Sequence, residues 1–231
     1  MHKSIVVLYH ENCSDGFGAA WAAWKKFGSR ATYIAVKHQE PPPKDLKNKE
    51  LYTLDFTYKG MWLKKLIQGN NLAIIDHHFG VKKEIESAPR YLFALKHSGA
   101  VLAWQFFHPK KPVPWLLRYV EDRDLWQFKL PTTQAILSVV DIAQFDFSEW
   151  NKIVRDLENP KKRKHYAAQG KMILEYRKRA IERVVEQASL VKFHDYKVLA
   201  VNSPLLRSEV GNAIVKKGYP LAIIWHRKGS K

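Results

Sequence analysis

Three apolar segments near the start of the chain each run into side chains that can bind a metal ion or move a proton. The segments and the residues that follow them are 4–9 with His10, 51–54 with Asp55, and 72–75 with Asp76-His77-His78. Apolar runs of this length predict buried β-strands. Because open α/β sheets place their sites at the carboxyl ends of strands, we expect these side chains to form one site.

The wider pattern predicts an α/β protein with a parallel sheet flanked by helices. A helix is expected from about residue 16 to residue 27, and the β-branched stretch 32–36 predicts another strand. Strands that alternate with helices favour parallel pairing. From Ser98 onward helical patterns dominate, with Ser98 itself as the expected N-cap.

Three regions are expected along the chain. Residues 1–145 are predicted to form a metal-binding catalytic domain, and 146–192 a helical connector whose apolar residues recur at helical spacing. Residues 193–231 predict two strands and one helix, a partial substrate-binding lobe. So thin a unit has to lean on the first domain, on another subunit or on residues that this chain lacks.

The charge of the chain suggests polyanions as partners. Lysine and arginine number 39 against 22 acidic residues, a net charge of +17. A surface of this kind attracts nucleic acid or nucleotide phosphates, although it also serves to keep a protein soluble. Cys13 is the single cysteine, so no intrachain disulfide can form, which fits a cytoplasmic location. No apolar run approaches the ~20 residues of a membrane span, and no membrane partner is expected.

Aspartate and histidine dominate the residues that could carry chemistry. They are His10, Asp15, Asp55, Asp76, His77, His78, Asp122 and Asp124. This mixture, with almost no cysteine, favours a catalytic centre of one or two divalent cations over structural zinc. Asp55 is the candidate to bridge two ions. Simpler roles stay open, since Asp15 could form a turn and Asp55 could cap a helix.

Four motifs in this order resemble the DHH phosphoesterase family. The first runs over 10–21 and carries Asn-Cys before Asp-Gly, as one branch of the family does. Residues 54–58 are similar to the second motif, and the triplet 76–78 is the third, followed by Ser98-Gly99-Ala100 with Trp104. Residues 122–126 resemble the fourth. Members of this family are hydrolases, usually manganese-dependent, that cleave phosphodiester or phosphoanhydride bonds.

The resemblance implies a role for each matching residue. Five would be metal ligands: His10, Asp15, Asp55, His77 and Asp122. His78 would contact or protonate the substrate phosphate, and Asp76 would orient the neighbouring imidazole. The candidate substrate-binding residues are Arg123, Arg207 and Ser98. The implied cofactor is Mn²⁺, as one or two ions, with Mg²⁺ as a possible replacement.

Two departures from the family pattern stand out. Cys13 or Ser14 occupies a position where the first motif normally supplies an acid, so Cys13 is either a soft ligand or a packing residue. The Gly-Gly-His motif of the family's C-terminal domain does not occur in the sequence. We therefore expect that lobe to be shortened.

The sequence thus predicts a metal-dependent hydrolase that cleaves phosphodiester bonds in a small nucleotide or a short single strand with metal-activated water. A catalytically weakened protein that binds nucleic acid or nucleotides and a pyrophosphatase-like phosphoanhydride hydrolase are the alternatives. An oligomer formed through the C-terminal lobe is a further possibility.

Overall fold

The computed structural model describes residues 4–37 and 40–226. The strands are β1 (Ile5–His10), β2 (Ala31–Val36), β3 (Glu50–Leu54), β4 (Asn71–Asp76), β5 (Arg90–Phe93), β6 (Ser189–Phe193), β7 (Tyr196–Asn202) and β8 (Ala222–Trp225). The helices are α1 (Ser14–Phe27), α2 (Gly60–Gly69), α3 (Lys82–Glu86), α4 (Gly99–Phe107), α5 (Trp115–Asp124), α6 (Thr133–Val140), α7 (Phe147–Glu158), α8 (Pro160–Glu186) and α9 (Arg207–Val215). Residues 227–231, the end of the expected C-terminal lobe, lie outside the described residues.

The first five strands form one parallel sheet in the order β2-β1-β3-β4-β5, which confirms the predicted fold class. The chain leaves β1 to build β2 on one side and then returns to build β3 on the other. A reversal of this kind opens a crevice at the carboxyl ends of the two strands, where ligands bind in folds of this order. The topology therefore places a binding site beyond the ends of β1 and β3.

Both faces of this sheet are buried, as the continuous apolar runs predict. Val7 faces a core built with α1, α4, α5 and α7, which includes the fully buried rings of Trp21 and Trp150. Val6 and Leu8 face a smaller core that α2 and α3 cover. Since alternate residues of β1 are held from opposite sides, the register that brings its end to the crevice is firmly fixed.

Helix α1 begins very close to the end of β1. A Cβ atom on Gly16 would lie 2.2 Å from the carbonyl oxygen of His10, so only glycine permits this approach. The consequence is that Asp15, in the first turn of α1, starts directly beside the strand end.

The chain divides into two compact units, residues 1–170 and 171–231. The second unit contains the sheet β6-β7-β8, with β6 and β7 antiparallel, β7 and β8 parallel, and helix α9. The sequence pattern predicts helix up to about residue 190. Instead α8 ends at Glu186 and β6 follows. The backbone of residues 189–193 forms its hydrogen bonds with β7 rather than within a helix. Within 4–37 and 40–226, no helix combines the length and apolar character needed to cross a bilayer.

Candidate metal centre

Three neighbouring strands bring their carboxyl ends to one place. His10 ends β1, Asp55 follows β3, and His77 follows β4, and these strands are paired in that order. Nδ1 of His10 lies 3.6 Å from Oδ2 of Asp55, and Nε2 of His77 lies 3.3 Å from Oδ1 of the same carboxylate. The sheet thus assembles three of the side chains that the sequence singled out.

Asp15 joins them from helix α1 and is held by helix α4. Its Oδ2 accepts a hydrogen bond from the N–H of Gly99 at 2.7 Å, and its Oδ1 accepts one from Ala100 at 2.9 Å. Both donors belong to the first turn of α4, where backbone N–H groups lack partners within the helix and favour negative charge. The same carboxylate lies 3.7 Å from Nε2 of His77. Asp15 is therefore buried, oriented and directed at the cluster.

His77 lies at the middle of the cluster. Its Nε2 atom is within 4 Å of three carboxylates, those of Asp55 at 3.3 Å, Asp124 at 3.6 Å and Asp15 at 3.7 Å. A single imidazole nitrogen cannot donate to three acceptors, so hydrogen bonding to His77 does not explain why three carboxylates lie this close together. Such convergence of oxygen and imidazole donors is the environment that a divalent cation needs.

Asp55 supports the same interpretation. It adopts a left-handed backbone conformation with φ of 61°, its N–H donates to the carbonyl of Ile75, and its side chain is almost fully buried. Its Oδ1 atom is buried and, among the described residues, has no hydrogen-bond donor with adequate geometry, although His77 lies nearby. A buried carboxylate oxygen without a donor is costly unless a cation completes it. The donors present thus fit a metal ion.

The residues near the strand ends form three groups whose possible ligand atoms lie within 4.8 Å of one another. The groups are Asp55 with Asp76, His77 and His78; His10 with Cys13 and Asp55; and Asp15 with His77 and Asp124. Asp55 and His77 each belong to two groups. These residues could hold a metal ion, and the overlap offers room for more than one position.

Asp76 holds the other two residues of the third motif in place through hydrogen bonds. It is fully buried, and its Oδ1 accepts hydrogen bonds from the backbone N–H groups of His77 and His78 and from Nδ1 of His78 at 2.7 Å. Its Oδ2 accepts one from the hydroxyl of Thr57 at 2.6 Å. Because Nδ1 of His78 donates to Asp76, the Nε2 atom of that ring is not used in this contact. Thr57 is a residue that the sequence analysis did not single out.

The charges of the cluster are strongly coupled. Burial raises the pKa of Asp15 well above its usual value, and the neighbouring Asp55 and Asp124 raise it further. Burial also raises the pKa of Asp55, but the His10 and His77 imidazoles outweigh this and lower it to about 2. The Asp55 carboxylate in turn raises the pKa of His10 to about 10, with Cys13 contributing. The hydrogen bond to Asp76 raises the pKa of His78.

The structure differs from the sequence prediction at Asp122. Its Oδ1 accepts a hydrogen bond from the N–H of Lys129, and its Oδ2 accepts from the N–H of Leu130 and the hydroxyl of Thr133. Its carboxylate is thus committed to the loop after α5. Asp124, two residues later, takes the place beside His77 that the sequence analysis assigned to Asp122.

Two of the predicted substrate contacts have partners within the protein. Arg123 donates to both carboxylate oxygens of Asp141, at 2.9 and 3.1 Å, and to the hydroxyl of Ser14 at 2.8 Å. Ser98 is buried and caps α4, accepting from the N–H of Val101. Both residues therefore hold the helices that frame the centre, and their predicted phosphate contacts would need these bonds to open.

The remaining candidates differ in position. Arg207 is the first residue of α9 in the second compact unit, so its contact with substrate stays a prediction. Cys13 is partly buried and lies in a group with His10 and Asp55, which places a sulfur donor where the family pattern has an acid.

A cavity of about 310 Å³ opens beside the cluster. It is lined by His10, Asp55, Asp76, His78 and the turn that begins at Phe79. Phe79 is 71% exposed, and Trp126, two residues after Asp124, is 62% exposed. Exposed aromatic rings of this kind can stack on the bases of a nucleotide.

Comparisons with known proteins support the fold. No protein-family model matches the chain. An uncharacterized protein of Acanthamoeba polyphaga mimivirus is 31% identical over 232 residues, which cover 91% of this chain and 54% of that protein. The chain therefore spans about half the length of this relative.

Two solved structures are similar in fold. One is the DHH domain of a member of a ribosomal protein family, with a TM-score of 0.62 and 12% identity over 97% of this chain and 72% of that one. The other is the crystal structure of an uncharacterized protein from Helicobacter pylori G27, with a TM-score of 0.56 and 13% identity over 99% of this chain and 84% of that one. The chain therefore has a DHH-like fold.

Proposed function

We propose that the protein is a metal-dependent phosphoesterase that hydrolyses phosphodiester bonds in a small nucleotide or a short single strand. The observation that carries the proposal is the convergence of three carboxylates on Nε2 of His77, at the crevice of a DHH-like fold. The proposed ion is Mn²⁺, because mixed imidazole and carboxylate donors suit it.

The proposed ligands are His10, Asp15, Asp55, His77 and Asp124. Asp55 is the proposed bridge between two ion positions, since its two oxygens face His10 and His77 separately. A divalent cation in this centre would lower the pKa of a water molecule and neutralise charge on a phosphoryl group. Asp15 would stay oriented throughout, because its hydrogen bonds come from the backbone of α4.

His78 is the proposed proton donor to the leaving oxygen. Asp76 fixes its ring through Nδ1, which leaves Nε2 outside this contact, and His78 lines the cavity. An imidazole that is held by a carboxylate on one nitrogen can present a proton on the other. Loss of the ring should reduce turnover more than it reduces metal affinity, because the neighbouring carboxylates remain.

The exposed aromatic rings favour a substrate that carries bases. Phe79 directly follows His78 and lines the cavity beside the centre, and Trp126 comes two residues after Asp124. Aromatic rings stack on nucleobases without regard to sequence. Pyrophosphate has no base to stack, and the net charge of +17 also suits a longer polyanion.

The test is hydrolysis of a defined substrate panel. The purified chain is incubated with Mn²⁺ and short oligonucleotides, cyclic dinucleotides or pyrophosphate, and products are identified by mass spectrometry. We expect cleavage of a phosphodiester substrate that disappears in EDTA and falls at least ~10²-fold in Asp55→Ala, because that variant loses the proposed bridge. Lys65→Ala, at an exposed position on α2, is the control for a surface change and should keep full activity.

Two results would contradict the proposal. Full activity of Asp55→Ala would remove the metal centre from the reaction. Tight binding of oligonucleotides in EDTA with no product under any metal would instead favour a nucleotide-binding protein without efficient catalysis, which the sulfur of Cys13 near His10 and Asp55 would help to explain.

A further inference from the structure

A second cavity lies in the first compact unit, away from the metal centre. Its volume is about 390 Å³, and it is lined by residues of α1, α4, α5, α7 and the loop before α5. The metal centre uses the first turns of α1 and α4. The cavity uses Lys25 near the end of α1, ten residues after Asp15, which corresponds to ~15 Å along the helix. The two sites therefore lie toward opposite ends of the same helix.

Aromatic rings form much of the wall of this cavity. The indoles of Trp21 and Trp104 are stacked, with centroids 5.5 Å apart and planes 9° apart, and both are nearly buried. Trp115 supplies a third ring, which carries the guanidinium groups of Arg118 at 5.1 Å and Arg163 at 4.1 Å from its centroid. The two stacked indoles are buried and the Trp115 ring already carries guanidinium groups, so these rings give the cavity an apolar lining rather than free faces for stacking.

The charged side chains around these rings are mainly cationic. Lys25, Lys111, Arg118 and Arg155 line the cavity, against the single carboxylate of Glu158. Lys25 donates to Asn151, and Nε of Arg118 donates to a backbone carbonyl. Arg155 has neither a hydrogen bond nor an ion pair within the described part of the chain. The cavity therefore suits a ligand that is negatively charged.

Glu158 adds a feature that a simple anion would not need. Its Oε1 accepts the N–H of Trp115, while its Oε2 has no hydrogen-bond donor among residues 4–37 and 40–226. A carboxylate oxygen repels phosphate but accepts readily from the exocyclic amino group of adenine, cytosine or guanine. Cations for phosphate, an apolar lining for the edge of a base and an acceptor for an amino group are thus present in one cavity.

We propose that this cavity is a second nucleotide-binding site, which takes a base with an exocyclic amino group together with its phosphate. The occupant is either a mononucleotide or one nucleotide of a single strand, since both present the same chemistry. This proposal is independent of catalysis at the metal centre, and binding should persist without a metal.

The experiment measures binding of 5′-AMP and 5′-UMP to the full chain in EDTA by isothermal titration calorimetry. We expect AMP to bind more tightly than UMP, which has a carbonyl in place of the amino group. Arg155→Glu and Lys111→Glu should each weaken AMP binding at least ~tenfold, through loss of a cation and repulsion of the phosphate. Lys65→Glu changes the net charge equally on the other side of the sheet and should stay within ~twofold of wild type.

Further arms define the ligand. Glu158→Gln should abolish the preference for AMP over UMP, because its amide can donate to the uracil carbonyl. A single-stranded oligoadenylate that binds more tightly than AMP assigns the site to a strand, and equal affinity assigns it to a mononucleotide. Equal losses in Arg155→Glu and Lys65→Glu, or tighter binding of an acidic aromatic peptide than of AMP, would overturn the proposal.

Discussion

The backbone of Gly99 lies so close to the carboxylate of Asp55 that a Cβ atom at position 99 would fall 2.7 Å from Oδ1. The same glycine donates its N–H to Asp15. One residue without a side chain therefore allows two carboxylates and the first turn of α4 to share a small buried volume.

Gly99→Ala should consequently damage the centre although alanine is the better helix former. The added methyl group must displace Asp55 or α4, so we expect the free energy of unfolding to fall by about 1–3 kcal/mol and the affinity for Mn²⁺ to fall at least ~tenfold. Chemical denaturation and metal titration measure the two effects. Gly69→Ala is the control, because its nearest new contact would be at 3.8 Å, and an equal effect there would refute the steric argument.

The two aspartates of the fourth motif should separate in their effects. Asp122→Asn leaves backbone donors of Lys129 and Leu130 facing an amide, so we expect a loss of about 1–3 kcal/mol in stability. Asp124→Asn should weaken Mn²⁺ binding while leaving the metal-free protein as stable or more stable, because burial and Asp55 raise the pKa of Asp124. Denaturation and calorimetric titration of both variants test this. The opposite pattern would restore Asp122 as the ligand.

Trp126 should contribute to substrate binding rather than to chemistry. Both Trp126 and Phe128 adopt left-handed backbone conformations, with φ of 55° and 50°, in a loop whose N–H groups are held by Asp122. Trp126→Ala should raise KM for an oligonucleotide about tenfold, the size of one base–aromatic stack. The kcat for the same oligonucleotide should not change, because Trp126 is not among the proposed metal ligands or proton donors. Tyr91→Ala, at an exposed ring on β5, is the control.

We expect His108 to cause part of the pH dependence of the free energy of unfolding. Its Nε2 donates to the carbonyl of Ala22 at 2.9 Å, and burial lowers its pKa, with Lys111 and other lysines contributing. The unfolded chain therefore takes up a proton near pH 6.5 that the folded protein resists. The stabilisation is fully present above about pH 6.5 and is lost progressively as the pH falls from there through the lowered pKa of the folded state.

The check is a series of urea unfolding curves between pH 8 and pH 5.5. The wild type should lose more stability over this interval than His108→Gln, which can keep a donor to Ala22 but does not titrate. His165→Gln, at an exposed position on α8, should follow the wild type. Parallel curves for the wild type and His108→Gln would contradict the assignment.

The sheet and much of the centre could be predicted from the sequence, because the end of a strand is marked by residues that are neighbours in sequence. Each apolar run indicates where a strand ends, and parallel pairing places these ends at the same edge of the sheet. The proximity of His10, Asp55 and His77 follows from this pairing. Edge strand β5 was not expected, since three of its four residues are partly buried, Tyr91 is exposed, and together they carry little pattern.

The site residues that lie on helices were harder to predict, because the direction of each side chain depends on how its helix is rotated about the helix axis. Asp122 and Asp124 are two residues apart on α5, which points them in different directions, and nothing in the composition says which one faces the cluster. Arg123 looked available for phosphate, but its partners Asp141 and Ser14 are 18 and 109 residues away in sequence. Contacts at such separations follow from packing alone.

The two backbone hydrogen bonds to Asp15 have a consequence for the order of events in the cell. The carboxylate of Asp15 is oriented by hydrogen bonds from α4, which form when the helix packs in the folded protein. No ion is needed for this orientation. If the proposed centre holds an ion, folding would align Asp15 before that ion binds, and a chain that lost the ion would keep this carboxylate in place.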